Sequence, residues 1–191
     1  LVSFSQKSYK WGAARPPYYN SRRTFPGIAP YIGIHAFDWL HWILGDVFTE
    51  VRGREGVTAR PEVAACASQA ALVLTMRNGG VAAVTLDYLR PAAAPTHGDE
   101  RVRIAGTAGV IETALNPGTV ELITHHHPPK PLPTPAVVDL FTRFVHFLQK
   151  VGDIPIPLRD SFRITEIAIK AQQAMDTGRT VTLEHSPFVE E

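Results

Sequence analysis

The spacing of apolar and polar positions changes along the chain, and each change marks an element. Leu1 to Trp11 mixes β-formers with Ser and Lys in partial alternation, as a strand with one buried face does. Gly12 to Pro26 holds three prolines with Arg15, Arg22 and Arg23 and reads as a long loop, a length usually kept for function or motion. From Ile28 to Leu44 the residues are apolar on most helical faces. Pro30 is tolerable in a first turn, and Gly45 is placed as a stop.

Strand signals then take over at Val47 to Val57, Ser68 to Met76, Val81 to Leu89, Arg101 to Ala105, Val110 to Thr113 and Thr119 to Thr124. Asn78-Gly79-Gly80 predicts a tight hairpin, and Gly106-Thr107-Ala108-Gly109 and Asn116-Pro117-Gly118 two further turns. Ala70, Ala71, Ala82 and Ala83 allow close packing on one face. Two helices follow. Thr134 is positioned to cap the first, with Pro135 at its first position and Val138, Phe141, Val145 and Leu148 on one face before Gly152. Asp160 is positioned to cap the second, whose apolar side is Ile164, Ile167, Ala168, Ala171 and Met175, ending near Gly178. Thr180 to Leu183 predicts a last short strand. Strands bracketed by helices, without a βαβ alternation, predict an α+β fold: an open, mainly antiparallel but mixed sheet with helices on one face and no doubly wound nucleotide-binding domain.

At 191 residues and 45% hydrophobic content the chain can bury roughly 70% of its unfolded surface without disulfides or structural metal. Its single cysteine, Cys66, cannot form an internal bridge and suits a reducing cytoplasm. A net charge of +1 with scattered charges argues against nucleic acid as a partner. The apolar stretch from Ile28 to Gly45 carries His35, Asp38 and His41. A central Asp costs about 2.5–3.5 kcal/mol on insertion scales, so a soluble helix is predicted and no membrane partner. The chain opens at Leu1, directly in a strand-like run, which reads as a piece of something longer.

The chemistry concentrates on the first helix. Tyr31, His35, Asp38 and Trp42 fall at offsets of zero, four, seven and eleven and line one stripe of an α-helix. On a helix that is otherwise apolar, such a stripe faces either hydrogen-bonded core partners or a cleft. Clustered proton donors and acceptors are what acid–base sites are built from, with Asp38 placed to orient rather than to react.

The run Gly27-Ile28-Ala29-Pro30-Tyr31-Ile32-Gly33-Ile34-His35-Ala36-Phe37-Asp38-Trp39-Leu40, followed by Trp42-Ile43-Leu44-Gly45, resembles the Gly-x-x-x-Asp-x-x-x-His-x-x-Asp helix of the glucose-fructose oxidoreductase and inositol 2-dehydrogenase (Gfo/Idh/MocA) family. Asn78-Gly79-Gly80-Val81, Arg101 to Glu112, Asp160 to Ala171 and Gly178 to Leu183 resemble later family segments, in family order. The resemblance implies that residues 1–191 form a C-terminal substrate-binding and oligomerisation domain. It also implies a separate nucleotide-binding domain that carries most of the NAD or NADP site, since this sequence has neither a Gly-x-Gly-x-x-Gly nor a Glu-Lys-Pro motif.

Carried over position by position, His35 becomes the acid–base group that takes a proton from a substrate hydroxyl as hydride leaves, and Asp38 its support. The family's usual Asp four residues before the histidine is Tyr31 here, so Tyr31 is assigned as a hydrogen-bonding neighbour. Tyr9, Lys10, Trp11 and Arg15, at the end of the first strand, and His97 in a later loop are the substrate-binding candidates. The implied reaction moves hydride between nicotinamide and a sugar, polyol or related hydroxy compound. The implied partners are that small molecule, the nucleotide-binding domain and further copies of the chain docked through the sheet. The competing expectation is a binding or assembly module that kept the fold without the chemistry. His125-His126-His127 is read as an extended run whose alternate side chains diverge rather than as a metal site.

Overall fold

A computed structural model describes residues 1–11, 16–57, 67–114, 118–134, 136 and 139–183. Its centre is one nine-stranded sheet in the order β8-β7-β6-β5-β1-β4-β3-β2-β9. The strands are β1 (Val2–Tyr9), β2 (Phe48–Gly56), β3 (Gln69–Met76), β4 (Val81–Asp87), β5 (Gly98–Gly106), β6 (Gly109–Ala114), β7 (Thr119–Thr124), β8 (Lys130–Pro131) and β9 (Val181–Thr182). Every neighbouring pair is antiparallel except β1 with β4. The sheet is therefore mixed and mainly antiparallel, as the strand pattern predicts.

The hairpins form where the turn residues stand. Gly79 takes φ +79°, and the Asn78 side chain accepts the Gly80 N–H at 3.0 Å, which closes the β3–β4 turn. Gly106 pairs with Gly109 to close the β5–β6 turn. In the third turn, residues 115–117 lie outside the described residues. The two-residue strand β8 was not legible beside Pro128 and Pro129.

Period-two alternation sorts the sheet into two faces. One face presents Leu72, Leu74, Met76, Ala82, Val84 and Leu86, all buried beneath the helices. Helix α1 (Ile34–Leu44) continues from a π-helical turn, Ala29–Gly33, and lies beside α3 (Leu158–Thr177), which presses Ile164, Ile167, Ala168 and Ala171 into the same core. The opposite face carries Val2, Val73 and Val81, each at least 40% exposed, and no helix among the described residues covers it. A short 3₁₀ turn, Pro17–Asn20, precedes the first helix and buries Tyr19.

Two local expectations, both about helix caps, are corrected. Helix α2 (Leu140–Leu148) is capped by Asp139, whose carboxylate accepts the Thr142 N–H at 2.9 Å, and not by Thr134. Pro135 and Val138 lie outside the described residues. The apolar side of α2 lies open to solvent, with Phe141 73% exposed. Asp160 does not cap α3, which begins two residues earlier at Leu158. From the first turn it instead faces His41 of α1 at 3.5 Å.

The start of α1 is held from outside its own sequence. No side chain of the segment caps it, and the Ala29 N–H goes to Gln172 of α3 at 3.2 Å. Gly27 makes that approach feasible, since it takes φ +111° and a Cβ there would collide with Gln172 and Arg22. Arg22 in turn pairs with Asp176 at 2.7 Å, so it is tied to α3 rather than left in solvent. Gly33 performs a similar service one turn on, because a Cβ there would stand 2.8 Å from Leu86 of β4. The helix thus starts at a fixed height above the middle of the sheet.

Candidate active site

The site is built where α1 crosses β1, at the end of the sheet where β1 finishes and β5 begins. On β1 the alternation puts Ser3, Ser5 and Lys7 on the helix-covered face. Lys7 is fully buried, a costly place for an ammonium unless it is paired. Its Nζ donates to Glu100 of β5 at 2.8 Å, its direct cross-strand neighbour, and stands 3.5 Å from the centre of the Trp39 ring of α1. A desolvated cation over an indole is worth about 2 kcal/mol, which offsets part of the burial cost. Burial still dominates, and it lowers the Lys7 amine from its ordinary value against the opposing pull of Glu100 and Asp38.

Glu100 is the hub of this cluster. It accepts from Lys7 and from the phenol of Tyr9. Burial pushes its carboxyl up, but those two hydrogen bonds, with the charges of Lys7 and His35, outweigh burial and hold it below the usual carboxylate range. Tyr9 is driven the other way: burial first, then the bond to Glu100 and its charge, raise the phenol well above its ordinary value. Tyr9 therefore stays a neutral donor across physiological pH.

His35 lies one turn before Trp39 on the same side of α1 and is exposed, with Glu100 near enough to feel its charge. Asp38 is partly buried and faces the Lys7 side of the cluster. The His97 ring packs on Tyr9 with centroids 5.6 Å apart, and the backbone N–H of Lys10 donates to the His97 carbonyl. His35, Asp38, Tyr9 and His97 thus gather around Glu100 and Lys7.

The other sequence candidates stand apart from that group. The Lys10 amine donates to the carbonyls of Ala92 and Ala94 and holds that loop. Trp11 packs edge-on against Tyr88 at 5.5 Å. Tyr31 belongs to an aromatic cluster with Tyr18, Tyr19 and Phe25, and its hydroxyl is 3.4 Å from that of Tyr18. It precedes the regular helix, in the π turn, where each residue advances less around the axis than α-helical spacing assumes. Arg15 lies outside the described residues. The polar stripe is also more open than a buried helix would make it, since Trp42 is 84% exposed. His125 reaches the Thr107 carbonyl at 2.8 Å, and among the described residues no group of three or more His, Cys, Asp or Glu side chains is gathered as a metal would need. None of the helices in the described residues is long and apolar enough to cross a membrane.

Lys7 and Glu100 were missed by the sequence reading. The signal was there: Lys7 continues the Ser3, Ser5 alternation of a buried face, and Glu100 stands two and four residues before Val102 and Ile104. A charge at a core-facing strand position announces a partner.

The fold and cluster together define an α+β domain with a hydrogen-bonded group of charged side chains between its first helix and the central strands of a mixed sheet. The family model for the GFO/IDH/MocA C-terminal domain matches residues 2–112, and the chain belongs to that family. It is 28% identical over 183 residues to the uncharacterized oxidoreductase YrbE of Bacillus subtilis (strain 168), covering 90% of this chain and 52% of that protein. A Thermotoga maritima protein classed as an oxidoreductase superposes with a TM-score of 0.89 at 35% identity, over 95% of this chain and 54% of that one. Levoglucosan dehydrogenase, solved in complex with NADH, shares the fold at 13% identity, with a TM-score of 0.76, over 97% of this chain and 59% of its own. The chain spans about half the length of these relatives.

Proposed function

We propose that this chain is the substrate-side half of a nicotinamide-dependent oxidoreductase acting on a sugar, polyol or related hydroxy compound, with His35 as its acid–base group. The observation that carries the reading is the position of His35: a solvent-reachable imidazole on a helix fixed from both ends, beside a buried carboxylate–ammonium pair. When a substrate hydroxyl is oxidised, its carbon gives up a hydride and its oxygen a proton. A bound nicotinamide would accept the hydride. The residues here fit the proton half of that exchange: His35 takes the proton, Asp38 supports the imidazole, and Tyr9 and His97 offer polar contacts to the hydroxy compound.

The nucleotide-binding half belongs to the remainder of the longer protein in this reading, and the uncovered sheet face, with Val2, Val73 and Val81, serves a two-fold contact with a second copy. One observation favours a second reading, a module without chemistry: Tyr31 is absorbed into an aromatic cluster instead of supplying an acid beside His35.

The test is turnover of a panel of sugars and polyols by the longer protein that contains residues 1–191, followed as reduced nicotinamide. Turnover abolished by removing this domain supports the first reading. No turnover with any hydroxy compound or nicotinamide supports the second.

A further inference from the structure

Tyr9 closes β1 with a phenol held in place on three sides. Its ring lies across Gly98, its cross-strand neighbour on β5, where a Cβ would stand 2.9 Å from the ring and force it aside. The exposed His97 ring packs against it with centroids 5.6 Å apart. The hydroxyl is bonded to Glu100, the diagonal neighbour two residues further along β5. Tyr9 itself is only partly buried.

The direction of the bond to Glu100 follows from the partners. The Glu100 side chain is 15% exposed, and its second oxygen accepts from the fully buried Lys7 ammonium at 2.8 Å. Paired in this way the carboxyl is ionised, and a carboxylate only accepts. Tyr9 therefore supplies the proton. A phenol has one proton to give, so toward anything else it meets the Tyr9 oxygen presents lone pairs alone.

We propose that Tyr9 is a specificity-determining residue: with its proton committed to Glu100, it accepts a hydrogen bond from a ligand hydroxyl or amine and disfavours a carbonyl or carboxylate oxygen at the same point. This deepens the function proposed above, and rests on that reading for the contact between Tyr9 and the hydroxy compound. Glu100 and Lys7 act through Tyr9 and are positioning residues. A ligand hydroxyl can turn its proton to the phenol. A carbonyl brought there sets two acceptors face to face and leaves both without a donor.

An amide in place of the carboxylate inverts this polarity. Lys7 has only donors, so in Glu100→Gln the amide oxygen is held toward Lys7 and the amide NH2 faces Tyr9. The phenol oxygen then accepts from the amide, and its proton turns to the ligand side, with little change in the outline of the site.

The probes are cyclohexanol and cyclohexanone, alike in outline, one with a hydroxyl and one with only a carbonyl. Each is titrated into the intact chain and followed by NMR at the Tyr9 and His97 rings. In the wild type cyclohexanol is expected to bind about two- to ten-fold more tightly than cyclohexanone, the factor that one net hydrogen bond supplies. Glu100→Gln is expected to reverse that order, and Tyr9→Phe to abolish it. A residue that only packs the strand end would change affinity for both probes alike.

The proton itself is read with neither ligand nor variant, from the Tyr9 Cζ resonance in a mixture of H2O and D2O. A hydroxyl held by Glu100 exchanges slowly and is expected to give separate protonated and deuterated lines. A single averaged line, equal affinity for the two probes in the wild type, or no response of Tyr9 to either probe overturns the proposal. These wild-type readings keep it falsifiable where Glu100→Gln does not fold. Failure of the functional reading looks different: the probe preference is present, yet the longer protein turns over no hydroxy compound with any nicotinamide.

Discussion

Two buried cations, Arg163 and Lys7, differ in how fully their surroundings satisfy them. Arg163 on α3 is 3% exposed, and its donors are taken up in every direction: Asp46 and Glu166 at 2.9 Å each, and the carbonyls of Phe48 at 3.2 Å and Leu183 at 2.9 Å. Those partners come from the end of α1, from α3 itself, from β2 and from beyond β9, so one planar guanidinium ties the sheet edge to both helices. Lys7 is as deeply buried, but it has a single carboxylate and an aromatic face. Its surroundings stay rich in groups that can gain or lose a proton: Glu100, Tyr9, Asp38 and His35. A saturated charge fixes structure. An ammonium with one carboxylate and one aromatic face leaves the groups around it less tightly fixed.

The largest effect on that contrast comes from Arg163→Met. It leaves Asp46 and Glu166 without their common partner and is expected to cost about 3–5 kcal/mol of stability, measured by urea unfolding. A loss below about 1 kcal/mol would mean that the guanidinium is dispensable and the contrast empty.

Gly27→Ala is next. The residue sits at φ +111°, and the added Cβ meets Gln172, the cap of the α1 start. Strain at that backbone should cost about 1–3 kcal/mol, read as a lowered Tm. Loss of order in the first turn of α1 should accompany it, visible as faster amide exchange at Ala29.

Acid sharpens the same comparison. Glu100 and Glu166 both have carboxyls held below the ordinary value in the folded state. For Glu166 as for Glu100, burial opposes the shift and is outweighed, here by the bonds from Lys170 and Arg163. A carboxyl with a depressed folded pKa binds fewer protons folded than unfolded, so its stabilisation is fully present above the unfolded value of about 4.3 and is lost as pH falls through the folded one. Stability is therefore expected to be flat near neutrality and to fall below about pH 4.5. Glu100→Gln should flatten part of that acid slope, and an unchanged slope would contradict the lowered carboxyl.

The smallest effect belongs to Tyr31→Phe. The variant removes only the hydroxyl, which stands 3.4 Å from that of Tyr18, and keeps the ring in its aromatic cluster. Stability should change by no more than about 0.5 kcal/mol in thermal unfolding.

How much of this was legible in the sequence follows from the physics of each element. Strand β1, the β3–β4 hairpin and the apolar side of α3 were legible because period and turn chemistry are local. His35 and Asp38 were legible because α-helical spacing holds from Ile34 onward. Tyr31 was misaligned with them because the preceding turn is π-helical, and nothing local in Ala29-Pro30-Tyr31 signals that. The caps were misread for a related reason. Thr134 and Asp160 have suitable side chains, but Asp139 stands nearer to the true start of α2, and Asp160 is engaged by His41. The Lys7–Glu100 pair depends on β1 lying beside β5, a pairing between residues 93 apart that no periodicity reveals. The apolar face of α2 was legible as a face, and amphipathic spacing does not say what covers it.

The account turns on His35, and steady-state turnover of His35→Asn in the longer protein, with thermal unfolding alongside, tests it most directly. The imidazole is exposed and Asn keeps some hydrogen bonding, so the variant should fold with a Tm close to that of the parent. Its turnover should fall by about 10²–10⁴-fold. An unfolded variant, or a folded one whose turnover of its own substrate is unchanged, would contradict the assignment and make His35 a structural histidine.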